Sequence, residues 1–160
     1  MVARQLFSLH REFPGGGKIE IMEGYVKKSD HKELLAIARY FAEKGDRVQI
    51  TTGVHFKDEK YRAVFGRLDG TPYERKCPDL IIGGRFYEYE SFVPPFKREK
   101  TGNMLSKGLK QSSRVIINNN KGASERYIRR NIHERGNFKQ DIKEVWLYEK
   151  GKVRLLYKKQ

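Results

Sequence analysis

Apolar residues recur along this chain in two periods, and each period predicts an element. Leu34, Ile37, Ala38 and Phe41 follow one another at helical spacing. Ser29-Asp30 stands before them as an N-cap signal and Gly45 after them as a stop, so a helix is predicted between. Alternating and β-branched segments predict strands at Lys18 to Val26, at Arg47 to Thr52 and at Arg114 to Asn118. Pro78-Asp79-Leu80-Ile81-Ile82 leads through Gly83-Gly84 into Arg85 to Ser91, the signature of a tight hairpin. A second hairpin is predicted from Glu144 to Tyr148 and Lys152 to Tyr157, hinged at Lys150-Gly151. Asn103 to Gln111 reads as a short basic helix, and Ser124 caps a third helix that runs to about Glu134. Residues 1–17 read as an arm that ends in Pro14 and the flexible run Gly15-Gly16-Gly17. The polar stretch 53–76 suggests an extra hairpin around Tyr61 to Pro72, and Pro94-Pro95 breaks the chain.

The order of these elements implies an α+β domain, a single twisted mixed sheet with flanking helices. With 160 residues the expectation is one domain over 18–160, preceded by the arm. No run of apolar residues is long enough to span a bilayer, and the first residues lack the apolar centre of a signal peptide. The lone Cys77 excludes an internal disulfide and a thiolate zinc cluster. The expected location is the cytoplasm.

Charge changes the picture more than composition does. The chain has 34 Lys and Arg against 20 Asp and Glu, a net charge of +14. Met1 to Phe96 carries only +2 of it, and Lys97 to Gln160 carries +12. A basic half of this kind suits a polyanionic partner.

Three groups of residues can carry chemistry. Asp79, Glu88 and Glu90 lie on the two arms of the Gly-Gly hairpin, with Glu88 and Glu90 on one strand face. Such carboxylates can serve as general base or hold a divalent metal such as Mg, and they equally suit a solvated sheet face. Lys107 and Lys110, with Arg98 and Lys100 before them, can stabilise phosphate charge. Arg126, Arg129 and Arg130 share a helix face, and with Arg85 and Arg114 they are candidates for bidentate backbone contact. His133, among those arginines, is a candidate acid or base.

Several of these segments, taken in order, match a known pattern: Tyr40-Phe41-Ala42-Glu43-Lys44-Gly45, then Pro78-Asp79-Leu80-Ile81-Ile82-Gly83-Gly84-Arg85-Phe86-Tyr87-Glu88, the Arg114-Val115-Ile116-Ile117 strand, and Ile142-Lys143-Glu144-Val145-Trp146-Leu147-Tyr148. The series, over roughly residues 30–157, resembles the C-terminal nuclease domains of bacterial contact-dependent growth inhibition proteins and related polymorphic toxins, largely tRNA nucleases. The resemblance implies one of two cores. One is the compact ribonuclease fold of barnase-type, colicin-type and RelE-type enzymes, which cut RNA without metal. The other is the restriction-endonuclease-like fold, with its Pro-Asp and Asp/Glu-x-Lys motif. Pro78-Asp79 and Glu88 fit that motif, while Glu90 stands where its lysine belongs, leaving Lys107 or Lys110 to substitute.

The expectation is an endoribonuclease acting on tRNA, with an acidic immunity protein as partner and either no cofactor or a divalent metal. The rivals are a non-catalytic nucleic-acid-binding protein of a mobile element, a divergent metal-dependent DNase, and a degenerate nuclease fold kept for protein contacts.

Overall fold

Leu34, Ile37, Ala38 and Phe41 are all buried, and the helix they predict is α1, His31–Glu43. The computed structural model describes residues 5–91, 99–137 and 140–160. Contacts divide the chain into two compact units, Met1–Arg85 and Phe86–Gln160. The fold is α+β, as the order of elements predicts, and both units mix parallel and antiparallel strands.

In the first unit the strands are β1 (Phe7–Glu12), β2 (Lys18–Met22), β3 (Arg47–Ile50) and β4 (Leu80–Ile82). β2 and β3 are parallel and joined by α1, because parallel neighbours need a crossover, whereas β1–β2 and β3–β4 are antiparallel. Registered rows such as Ile19, Val48 and Ile82 share one face, and all three are buried. On the other face Glu20 accepts from Arg47 Nε at 2.8 Å and from Gln49 Nε2 at 3.1 Å.

Two expectations for this unit are corrected. The segment read as an arm contains β1, which pairs with β2. The Pro-Gly run before β2 is a fixed turn: Phe13 N–H donates to Gly17 O at 2.8 Å, and a β-carbon on Gly17 would stand 1.8 Å from Ala42 O. No hairpin forms around Tyr61 to Pro72. The segment instead forms α2 (Glu59–Phe65) and a turn of 3₁₀-helix (Gly66–Leu68). Asp58 caps α2 through Lys60 N, and Tyr61, Val64 and Phe65 bury a helical i, i+3, i+4 stripe that the strand reading overlooked.

The second unit contains β5 (Arg85–Glu90), whose first residue lies at the end of the first, then α3 (Glu99–Leu109), β6 (Arg114–Asn118), α4 (Glu125–Asn137), β7 (Glu144–Glu149) and β8 (Lys152–Lys158). β5, β6 and β7 run parallel in that order, and β8 returns antiparallel to β7. Lys150 and Gly151 both have positive φ, 49° and 79°, the two-residue turn that twisted hairpin strands prefer. Gly83 and Gly84, at 56° and 79°, have the same backbone between β4 and β5. The core of this unit packs Met104, Leu105 and Leu109 of α3 and Ile128 and Ile132 of α4 onto Val115, Ile117, Val145, Leu147 and Leu156. Among the described residues no helix is long and apolar enough to cross a membrane.

Candidate functional site

Glu88 registers with Val115 and Glu90 with Ile117, and these in turn with Val145 and Leu147. The two carboxylates therefore occupy the face of β5 that continues the helix-covered core, and both are half-buried. A β-carbon on Gly108 of α3 would lie 3.2 Å from Glu90 Cγ, so the helix rides directly on that side chain. Lys107 precedes this contact and Lys110 follows it, and both are exposed. One acidic strand and one lysine-bearing helix thus meet at a glycine. Lys100 lies in the first turn of α3, and Arg98 lies outside the described residues.

The opposite face of the same strands holds a buried polar hub. Glu144, 4% exposed, accepts from Tyr87 Oη at 2.9 and 3.1 Å, Trp146 Nε1 at 2.9 Å and Arg114 Nε at 2.5 Å. Burial by itself raises the Glu144 pKa. The hydrogen bonds from Trp146, Arg114 and Tyr87, with the Arg114 charge, outweigh it and hold the carboxyl below its usual value. Arg114, a candidate for backbone contact, is committed to this internal pair. Tyr89 Oη accepts from Asn118 Nδ2 on the same face.

On α4, Ser124 Oγ accepts from Tyr127 N at 3.2 Å and starts the helix. Arg126, Arg129 and Arg130 are exposed. Arg129 donates to Glu125 Oε1 through Nε and Nη2, and Glu125 also meets Arg154 at 3.5 Å. The Glu125 carboxyl is accordingly lowered, chiefly by the Arg129 hydrogen bond. Arg130 lies over the Tyr127 ring at 5.8 Å. An open pocket of about 260 Å³ between α4 and β8 is lined by Arg129, Ile132, His133, Gly136 and Tyr157, so two expected site residues, Arg129 and His133, share one cavity.

Asp79 lies in the first unit, just before β4, where its carbonyl accepts from Thr51 N at 3.1 Å. Tyr25 and Cys77, which were not among the candidate site residues, are close enough to feel its charge. Tyr25 Oη and His31 Nδ1 are 2.9 Å apart, and the phenol pKa is raised by burial and by the charges of Asp30 and Asp79. The Cys77 thiol is raised by burial, with a smaller push from Asp79 that opposes the Val54 carbonyl contact. The oxygens Asp30 Oδ1 and Glu33 Oε2 are buried and accept no hydrogen bond among the described residues. Tyr25 falls within the predicted strand Lys18 to Val26 but beyond the end of β2 at Met22, and His31 opens α1, so neither spacing marks the pair. Arg85, at the start of β5, is exposed.

Among the described residues no three His, Cys, Asp or Glu side chains converge as a metal-holding group. Comparison with protein-family models, with curated proteins and with solved structures returns no match.

Proposed function

We propose that this chain is an endoribonuclease of the toxin type, acting on tRNA or a similarly structured RNA. The observation that carries the reading is the seat of Glu90 beneath Gly108, which sets the Glu88–Glu90 strand against the end of α3, with Lys107 in its last turn and Lys110 just beyond it. A carboxylate there accepts the proton of a ribose 2′-hydroxyl, the freed oxygen attacks the adjacent phosphorus, and the 5′-oxygen departs with a proton. Lys107 and Lys110 offset charge that grows on the phosphoryl oxygens. Arg126, Arg129 and Arg130 hold the backbone, and His133 in its pocket is the second acid–base side chain of the site. The +12 charge of Lys97 to Gln160 supports a polyanionic substrate and, for a toxin, an acidic immunity protein that covers the same face in the bacterial cytoplasm.

Purified protein incubated with total tRNA, with and without chelator and over a range of pH, tests the reading. Discrete fragments that vanish in Glu88→Gln or Glu90→Gln are expected. Intact RNA under every condition, with binding retained, would replace the enzyme with a non-catalytic RNA-binding module. Cleavage that the chelator abolishes would replace the metal-free route with a metal-dependent one.

A further inference from the structure

The loop after β3 is fastened to the segment before β4. Thr51 Oγ1 donates to Pro78 O at 2.5 Å, and Cys77 Sγ approaches Val54 O at 3.5 Å. Tyr61 Oη donates to Lys76 O at 2.9 Å and ties the same segment to α2. Two stretches distant in sequence, 51–58 and 73–79, are thereby held side by side.

At their junction stands a stack of flat groups. The Phe56 ring, 37% exposed, lies on the His55 imidazole with centroids 4.5 Å apart and planes inclined by 27°. The Arg75 guanidinium carbon is 4.2 Å from the centre of the same ring, and Lys57 Nζ is 5.9 Å from it. His55 Nδ1 accepts from Lys57 N at 3.1 Å, which leaves the ring proton on Nε2 and fixes the imidazole plane. Arg75 has a φ of 68°, a left-handed backbone that costs a non-glycine residue about 1–2 kcal/mol.

We propose that the His55–Phe56–Arg75 stack is a platform for an unpaired RNA base, with Lys57 placed for the attached phosphate. Imidazole, phenyl and guanidinium groups all stack with bases, so a base can extend the stack that Phe56 holds together. The cations supply the charge that a phosphate-bearing ligand needs. A protein partner would call for a wider apolar surface than one phenyl ring. The inference rests on the reading that the chain engages RNA, and it holds whether or not RNA is cut.

Binding, not cleavage, tests it. Fluorescence anisotropy compares a labelled decamer of adenosines with an abasic ribose-phosphate decamer of equal length and charge. In Phe56→Ala the adenosine decamer is expected to bind about 5- to 100-fold more weakly, the loss of one stacked base, with the abasic decamer changed less than about twofold. Equal weakening of both, or of neither, overturns the platform. Phe56→Trp keeps the ring, so it guards against a folding defect. Its added fluorescence should be quenched by the adenosine decamer and not by the abasic one, and absence of quenching also overturns the proposal. Failure of the nuclease reading appears separately, as intact tRNA with wild-type protein.

Discussion

A β-carbon placed on Gly108 would stand 2.7 Å from Val115 Cγ1 and 3.2 Å from Glu90 Cγ, so α3 can meet the sheet there only through glycine. Gly108→Ala gains about 1 kcal/mol of helix propensity. Against it stands overpacking of about 1–3 kcal/mol, because Val115 is fully buried and its β-branched side chain is stiff at χ1. The net expectation is a loss of about 1 kcal/mol in urea denaturation. Cleavage should fall further than stability does, since the shift moves Lys107 and Lys110 relative to Glu90. An unchanged denaturation midpoint would show that the helix can lift without cost.

Loss of the acid–base groups should separate chemistry from binding. Glu88→Gln or Glu90→Gln is expected to reduce tRNA cleavage by about 10²-fold or more, with affinity for uncleaved RNA kept or raised. Lys107→Ala should lower turnover more than affinity if the ammonium acts on the transition state. Single-turnover kinetics at saturating enzyme separate the two effects.

Glu125 restrains the basic helix. It holds Arg129 through two nitrogens and meets Arg154, so it neutralises cations that would otherwise face phosphate. Glu125→Gln is therefore expected to raise RNA affinity and steepen its salt dependence. Arg126→Ala should weaken binding and flatten the slope of log K against log salt by about 0.7–0.9 if that residue contacts one phosphate. Titrations at several salt concentrations check both signs.

The Glu144 hub makes stability depend on pH in a defined direction. The folded carboxyl titrates below the unfolded value of about 4.3, so the unfolded chain binds more protons in that interval. The contribution is complete above the unfolded pKa and is lost as pH falls through the folded one. Glu144→Gln should flatten the acid side of the stability profile. Arg114→Met leaves a buried carboxylate without its cation and should cost about 3–5 kcal/mol at neutral pH. Thermal melts from pH 3 to 7 measure both.

Most elements were legible because their periodicity is local. α1 follows from four apolar residues ahead of a stop glycine, although Asp30 makes no side-chain capping bond, and the β7–β8 hairpin follows from two apolar runs around Lys150-Gly151. α2 was missed because a seven-residue helix offers only one apolar stripe, Tyr61, Val64 and Phe65, inside a polar segment. β1 was missed because nearly all its side chains are exposed, and pairing with β2 alone makes it a strand. Among the candidate residues, the alternation that puts Glu88 and Glu90 on one face was readable. Which face that is was not, because a strand's period of two is the same in either orientation.

Local pattern and counting suffice for the α+β class, most of the strands and helices, and the concentration of positive charge after Lys97. These depend on neighbours a few residues apart or on simple counting. Tertiary structure alone decided that Glu90 lies under Gly108, that Arg114 is bound to Glu144, and that Arg75 covers Phe56. Each of those pairs joins residues about 18 to 30 positions apart in the chain. No periodic signal reaches that far, and only strand register and packing bring such side chains together.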